Sequence, residues 1–212
     1  MNQVTDAETA SSALKAFYRV GAVTALIVLA LFLVGVVGLV TEGLQLTAPG
    51  GWFTQLQNNW LVVLFKLNAG FIGVQPSLLN AFNALDFVIM ALSCIMFLAL
   101  YFTLKRTSRV WSLVAASLPF LGIPVFLLTG TAGRSTLLIG GLIISVVMLR
   151  SKTFGKATAY AGIVASVLLF FAGDIATAIF SSSSTIAVFI GVGYMLWMAW
   201  FFWIARRLFQ TR

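Results

Sequence analysis

The sequence predicts an all-α fold: a polytopic membrane helix bundle with six transmembrane helices, both termini cytoplasmic, and an external interfacial segment. Three observations predict it. Of 212 residues, 61% are hydrophobic and 8% charged, with a mean hydropathy of +1.06, a composition that a soluble globular domain does not sustain. Six stretches approach or exceed the roughly 20 apolar residues that a helix needs to cross the hydrocarbon layer. The Lys and Arg residues also sort strongly by side once those stretches are laid across a membrane.

Residues 1–19 form a cytoplasmic amphipathic N-terminal segment. Thr5-Asp6-Ala7-Glu8 has the form of a capping box, and Ala7, Ala10, Leu14 and Phe17 share one helical face. The six-helix membrane domain then occupies residues 20–212. Its first span is Val20–Val40. A cleaved signal peptide is the rival reading, but the apolar run is too long for such a segment and lacks a small-x-small exit, so the helix is retained.

Residues 41–82 form the external loop, punctuated by Pro49-Gly50-Gly51 and Pro76. Within it, Trp52 to Val74 is apolar enough to compete as a seventh span, yet Asn58, Asn59, Lys66 and Asn68 interrupt it. Charge decides. With six spans, Lys15, Arg19, Lys105, Arg106, Arg109, Arg150, Lys152, Lys156, Arg206, Arg207 and Arg212 lie inside, against Lys66 and Arg134 outside. A seventh span weakens that bias and places Lys66 in lipid at roughly 2.5 to 3.5 kcal/mol on insertion scales. Trp52, Leu56 and Trp60 recur at helical spacing, which suggests a short helix in the outer interface, serving as a cap on the bundle or a lid over an external pocket.

The second span is Asn83–Leu104. Asn83 suits its N-cap and Asp86 its third helical position, where a carboxylate meets free backbone N–H groups. Cys94, midway along, reads as a small apolar residue. The third span, Val110–Leu128, holds Pro119 and Pro124, which interrupt it and release the carbonyls of Ala115 and Phe120. Broken spans are where transporters build sites, and kinks are also common where nothing is transported.

The fourth and fifth spans, Gly133–Leu149 and Ala157–Phe180, form an antiparallel hairpin about Thr153. Gly141 and Ser145, Ala161 and Ala165, Gly162 and Ser166, and Gly173 and Thr177 are small residues four apart, which let helix backbones approach. Asp174 sits near the C-terminal end of its span, the wrong end for a negative charge, about 9 Å inside by helical rise. Arg134 stands at nearly the same height and is a cation at a helix N-terminus, so each would relieve the other as an ion pair. Lys66 is the rival partner. The pair is either structural or, with Asp86, part of a solute or proton site. In the turn between these spans, Arg150, Lys152 and Lys156 are candidates for holding a lipid headgroup, or are ordinary positive-inside flanks. The last span, Ile186–Ala205, brings Trp197, Trp200 and Trp203 toward Arg206 and Arg207, the pattern of an inner aromatic belt.

The inventory bounds the chemistry. With no histidine, one cysteine and five scattered acidic residues, the chain offers no nucleophile–base pairing, no disulfide and no metal-ligand spacing. A non-enzyme with no cofactor is expected. The net charge of +8 is topological and points to anionic headgroups of the inner leaflet as partners, with other membrane proteins or self-association possible, and not to nucleic acid.

The stretch Ser145-Val-Val-Met-Leu-Arg-Ser-Lys-Thr-Phe-Gly-Lys-Ala-Thr-Ala-Tyr-Ala-Gly-Ile163, a span end, a basic turn and a span start, resembles the signature region of a bacterial six-helix integral membrane protein family catalogued as a domain of unknown function. The resemblance covers the fourth and fifth spans, with Arg150, Gly155 and Tyr160 as parts of the matching motif. It implies the fold and a bacterial inner membrane, and carries no catalytic residues. A weaker likeness, in size and topology alone, is to the substrate-binding membrane subunits of vitamin uptake transporters. Two functions follow as expectations: a non-catalytic membrane subunit or scaffold binding lipids or other membrane proteins, or a solute-binding or transport component using Asp174 and a pocket beneath the external loop.

Overall fold

The computed structural model describes residues 3–41, 84–129, 133–171 and 184–211, and every structural statement below concerns these residues. They form helices α1 (Gln3–Thr41), α2 (Ala84–Leu104), α3 (Arg109–Thr129), α4 (Gly133–Arg150), α5 (Lys156–Leu168) and α6 (Ser184–Gln210). Five of the six are long and apolar enough to cross a membrane, and the apolar helix Lys156–Phe171 is shorter. The protein is thus an apolar, membrane-embedded helical bundle. The amphipathic N-terminal stretch and the first span are one uninterrupted helix, α1. The external loop from residue 42 onward, with Lys66, and the later part of the fifth span, with Gly173, Asp174 and Thr177, lie outside the described residues.

Each helix packs on its successor in the chain, and α6 closes on α1, so the six make a ring read in sequence order; α2 and α4 also touch. The connections at 105–108 and 151–155 are short, which leaves successive helices antiparallel. With lipid tails as apolar as the side chains, little hydrophobic drive separates inside from outside here. Close packing has to hold the ring together, and small residues permit it. A Cβ on Gly21 of α1 would collide with Ala99 of α2 and meet Leu208 of α6 at 3.5 Å. Nearby, Phe17 and Phe102 meet edge to face at 5.3 Å, while Phe32 lies 5.9 Å from Tyr194 and 5.8 Å from Phe201.

The α3–α4 seam is built on glycine. Gly122 lies under Thr136 and Gly133, Gly133 under Phe126, and Gly140 under Ala115 and Pro119. Pro119 and Pro124 lie inside a single helix that runs from Arg109 to Thr129. The Ala115 carbonyl that Pro119 deprives of its partner points at α4, where it stands 3.0 Å from the position of a Cβ on Gly140. Glycine alone lets the two backbones come this close, and the freed oxygen is covered by packing against that backbone.

The expectation of an inner aromatic belt is corrected for two of its three indoles. Trp197 and Trp200 are fully buried and stack on one another, with centroids 4.8 Å apart and planes 28° from parallel. Phe201 packs edge-on to both, and Phe97 of α2 lies 6.3 Å from Trp200. Residues three apart share a helix face, and this face of α6 meets the glycine faces of the α4–α5 hairpin, with Gly141 against Trp197 and Gly162 against Trp200. The indoles fill space that those glycines leave. Trp203 alone of the three stays half-buried. The outward surface is apolar, with Val110, Trp111, Leu121, Val188 and Met195 more than half exposed.

Candidate functional site

The alternating helix directions gather charge at one end. The ends of α2, α4 and α6 and the starts of α3 and α5 carry Lys105, Arg106, Arg109, Arg150, Lys152, Lys156, Arg206 and Arg207, and among the described Lys and Arg only Arg134 stands at the opposite end. At this basic end a groove of about 370 Å³ opens between the start of α5 and the last turns of α6. Lys152, Gly155 and Thr158 line one side, and Trp203, Arg206 and Arg207 the other. No lining residue is acidic.

The local chain explains the shape. Ser151 N–H donates to the Met148 carbonyl at 3.0 Å as α4 ends, and Thr153 N–H donates to Ser151 Oγ at 3.0 Å, which tightens the turn. Arg207 Nε donates to the Thr153 carbonyl, tying the turn to α6, and its Nη1 donates to Gln210 Oε1 at 3.3 Å. Gly155 then caps α5 in an extended conformation with ψ of 148° and no side-chain hydrogen bond, and there is open space above its Cα. The first-turn N–H groups of α5 carry no acidic side chain to complement them.

Of the sequence-predicted headgroup residues, only Lys152 lines the groove. Arg150 and Lys156 are exposed at the same end but outside its lining. Arg206 and Arg207, read from sequence only as anchors of the last span, supply the opposite wall. The signal that could have found them is the antiparallel α5–α6 contact, which sets the end of one helix beside the start of the other.

At the opposite end a cavity of about 170 Å³ lies among α1, α2, α4, α5 and α6, bordered by Phe32, Met90, Leu169, Tyr194 and Trp197 and by the half-buried Arg134. Arg134 is the second residue of α4, as the sequence suggested, and Asp86 is the third residue of α2, its side chain outside the described ones. Asp174, the expected partner of Arg134, and Lys66, the rival cation for Asp174, also lie outside them. The pairing yields a direct prediction. Arg134→Asp and Asp174→Arg should each destabilise the bundle, and the charge-swapped double variant should recover a large part of the loss in a detergent melt. A double variant as unstable as the worse single one would end the pairing idea.

Among the described residues no group of three His, Cys, Asp or Glu could hold a metal. Cys94 is buried in α2. Comparison with protein-family models, with curated proteins and with solved structures finds no match.

Proposed function

We propose that the protein is a non-catalytic membrane subunit or scaffold that crosses a bacterial inner membrane six times, keeps both termini in the cytoplasm and works by binding anionic lipids or other membrane proteins. The observation that supports this reading most is the filled middle of the bundle. Trp197, Trp200, Phe97 and Phe201 are fully buried at the junction of α2, α4, α5 and α6, where the two indoles stack and pack against Gly141 and Gly162 among the described residues. A scaffold gains from such rigidity, whereas alternating access needs two arrangements of the same helices. The basic rim, whose groove among the described residues has no acidic lining, adds the chemistry for anionic headgroups on the cytoplasmic side.

The second reading, a solute-binding or transport component, is favoured by one observation, the cavity beside Arg134 and Tyr194. Native mass spectrometry of the chain extracted with its own lipids separates the two. Retained phospholipid or a stoichiometric protein partner is the expected result. A bound small solute that is lost on Arg134→Gln would overturn the scaffold reading in favour of the second, whether or not phospholipid is also retained.

A further inference from the structure

We infer that the groove between the start of α5 and the end of α6 binds the phosphate of one anionic phospholipid, with Lys152, Arg206 and the uncapped first turn of α5 as its contacts. This deepens the lipid-binding reading above by naming a ligand class and a site, and it rests on that reading.

The first argument is electrostatic. Three cations from two separate chain segments converge on one groove whose lining, among the described residues, holds no carboxylate. Like charges held that close repel one another, so an anion among them is stabilised by each cation and also relieves their mutual repulsion. The start of α5 works in the same direction. Its cap is a glycine with open space above it, its first turn carries no acidic side chain, and Gly155 and Thr158 line the groove, so the positive end of the helix dipole stands at the groove wall. The helix end alone would not define a site; the surrounding cations and the groove do.

The cations divide their roles. Arg207 is committed to the Thr153 carbonyl and to Gln210, so it acts as a strut that holds the turn against α6. Lys152 and Arg206 are exposed and border the groove from opposite sides, which leaves their charged heads to the ligand. Arg150 and Lys156 carry the same charge at the same end, yet neither lines it. Specific binding and a diffuse basic surface therefore make different predictions for these two pairs.

The second argument concerns what is attached to the phosphate. Trp203 lies in the groove one turn before Arg207, and Phe154 borders it as well. An indole beside a basic rim at the end of an apolar helix marks the depth where headgroup gives way to glycerol and acyl chain. A soluble phosphate compound has no use for that apolar wall, whereas a phospholipid satisfies both halves of the groove.

The test uses the full chain in detergent, titrated separately with phosphatidylglycerol, phosphatidylcholine and inorganic phosphate, with bound adducts counted by native mass spectrometry and a thermal melt recorded for every variant. The wild-type chain is expected to retain one phosphatidylglycerol in preference to phosphatidylcholine. The double variant Lys152→Gln with Arg206→Gln should weaken that retention about thirtyfold, while Arg150→Gln with Lys156→Gln, which removes the same charge, should keep it within about twofold, both with unchanged melts. Equal losses in the two double variants would overturn the site and leave only surface charge. So would no loss in either, or equal retention of the zwitterionic lipid. Displacement of the lipid by millimolar inorganic phosphate would overturn the lipid as the source of the anion. If the site fails but a stoichiometric protein partner is retained, the scaffold reading stands without it. If the site holds while a small solute is found at the Arg134 end, the scaffold reading fails and the site remains.

Discussion

Replacing Gly133 with alanine is expected to push α3 away from α4 and to destabilise the bundle by about 2 to 3 kcal/mol, the upper part of the range for overpacking a tight contact. The new Cβ would stand 2.5 Å from the Gly122 carbonyl oxygen and 2.8 Å from Phe126 Cα. Both are backbone atoms of the facing helix, so no rotamer change relieves the clash and the helices have to part. In lipid that parting forfeits the dispersion contacts along the seam, which are the main force holding it. It also uncovers the Ala115 carbonyl that Gly140 now shields. Gly191 in α6 supplies the control. No atom lies within 4 Å of a Cβ there, so Gly191→Ala should be neutral or gain up to about 1 kcal/mol from helix propensity. Unfolding in graded sodium dodecyl sulfate separates the two. If both variants unfold at the same point, the α3–α4 contact is not the rigid seam described.

Some of this architecture is legible in the sequence, and the limit has a physical cause. Hydropathy and the sidedness of Lys and Arg place most of the helices, because crossing lipid constrains length and charge directly. The α4–α5 hairpin is legible too: Gly141 does face Ser166, and Gly162 does face Ser145, as the small-residue spacing implies. What fails is the choice of inward face. In a soluble helix the apolar stripe marks the core, but here every face is apolar, and only side-chain size distinguishes a neighbouring helix from lipid. Trp197 and Trp200 accordingly looked like interfacial residues and are the centre of the core. Gly122, Gly133 and Gly140 carry no seam signal in the sequence, since no repeat within one helix reveals a contact shared between two. The groove was half legible. Charge pattern placed Lys152 at the right end, but the participation of Arg206 depends on which helices are adjacent, and that is a property of the closed ring rather than of any segment. Asp174 and Lys66 lie outside the described residues, so the Arg134 pairing still rests on sequence alone.

The junction of α4, α5 and α6 should respond to substitution as a coupled unit. A Cβ on Gly162 would overlap Ser145 Oγ and the Trp200 indole nitrogen, with Trp200 Cδ1 at 2.7 Å. Gly162→Ala is therefore expected to cost about 1 to 3 kcal/mol, and Gly162→Leu to prevent assembly of the junction. Unlike the Gly133 seam, the opposing atoms here belong to side chains, and this makes the damage reversible by a second change. Trp200→Phe removes the nitrogen and narrows the ring, so the pair Gly162→Ala with Trp200→Phe should be less unstable than the sum of the single variants by about 0.5 to 2 kcal/mol. Ser145 offers a separate check. Its hydroxyl, like that of Ser166 and the indole nitrogen of Trp200, is shut away with no hydrogen-bond partner among the described residues. Ser145→Ala removes a polar atom that contributes no hydrogen bond, so it should leave stability unchanged or raise it slightly, and it should soften the Gly162→Ala penalty as well. Strict additivity across both double variants would mean that the helices shift as rigid bodies to accommodate each change. A measurable interaction term would place Gly162, Ser145 and Trp200 in one packed contact, with the stacked indoles as the element that cannot move.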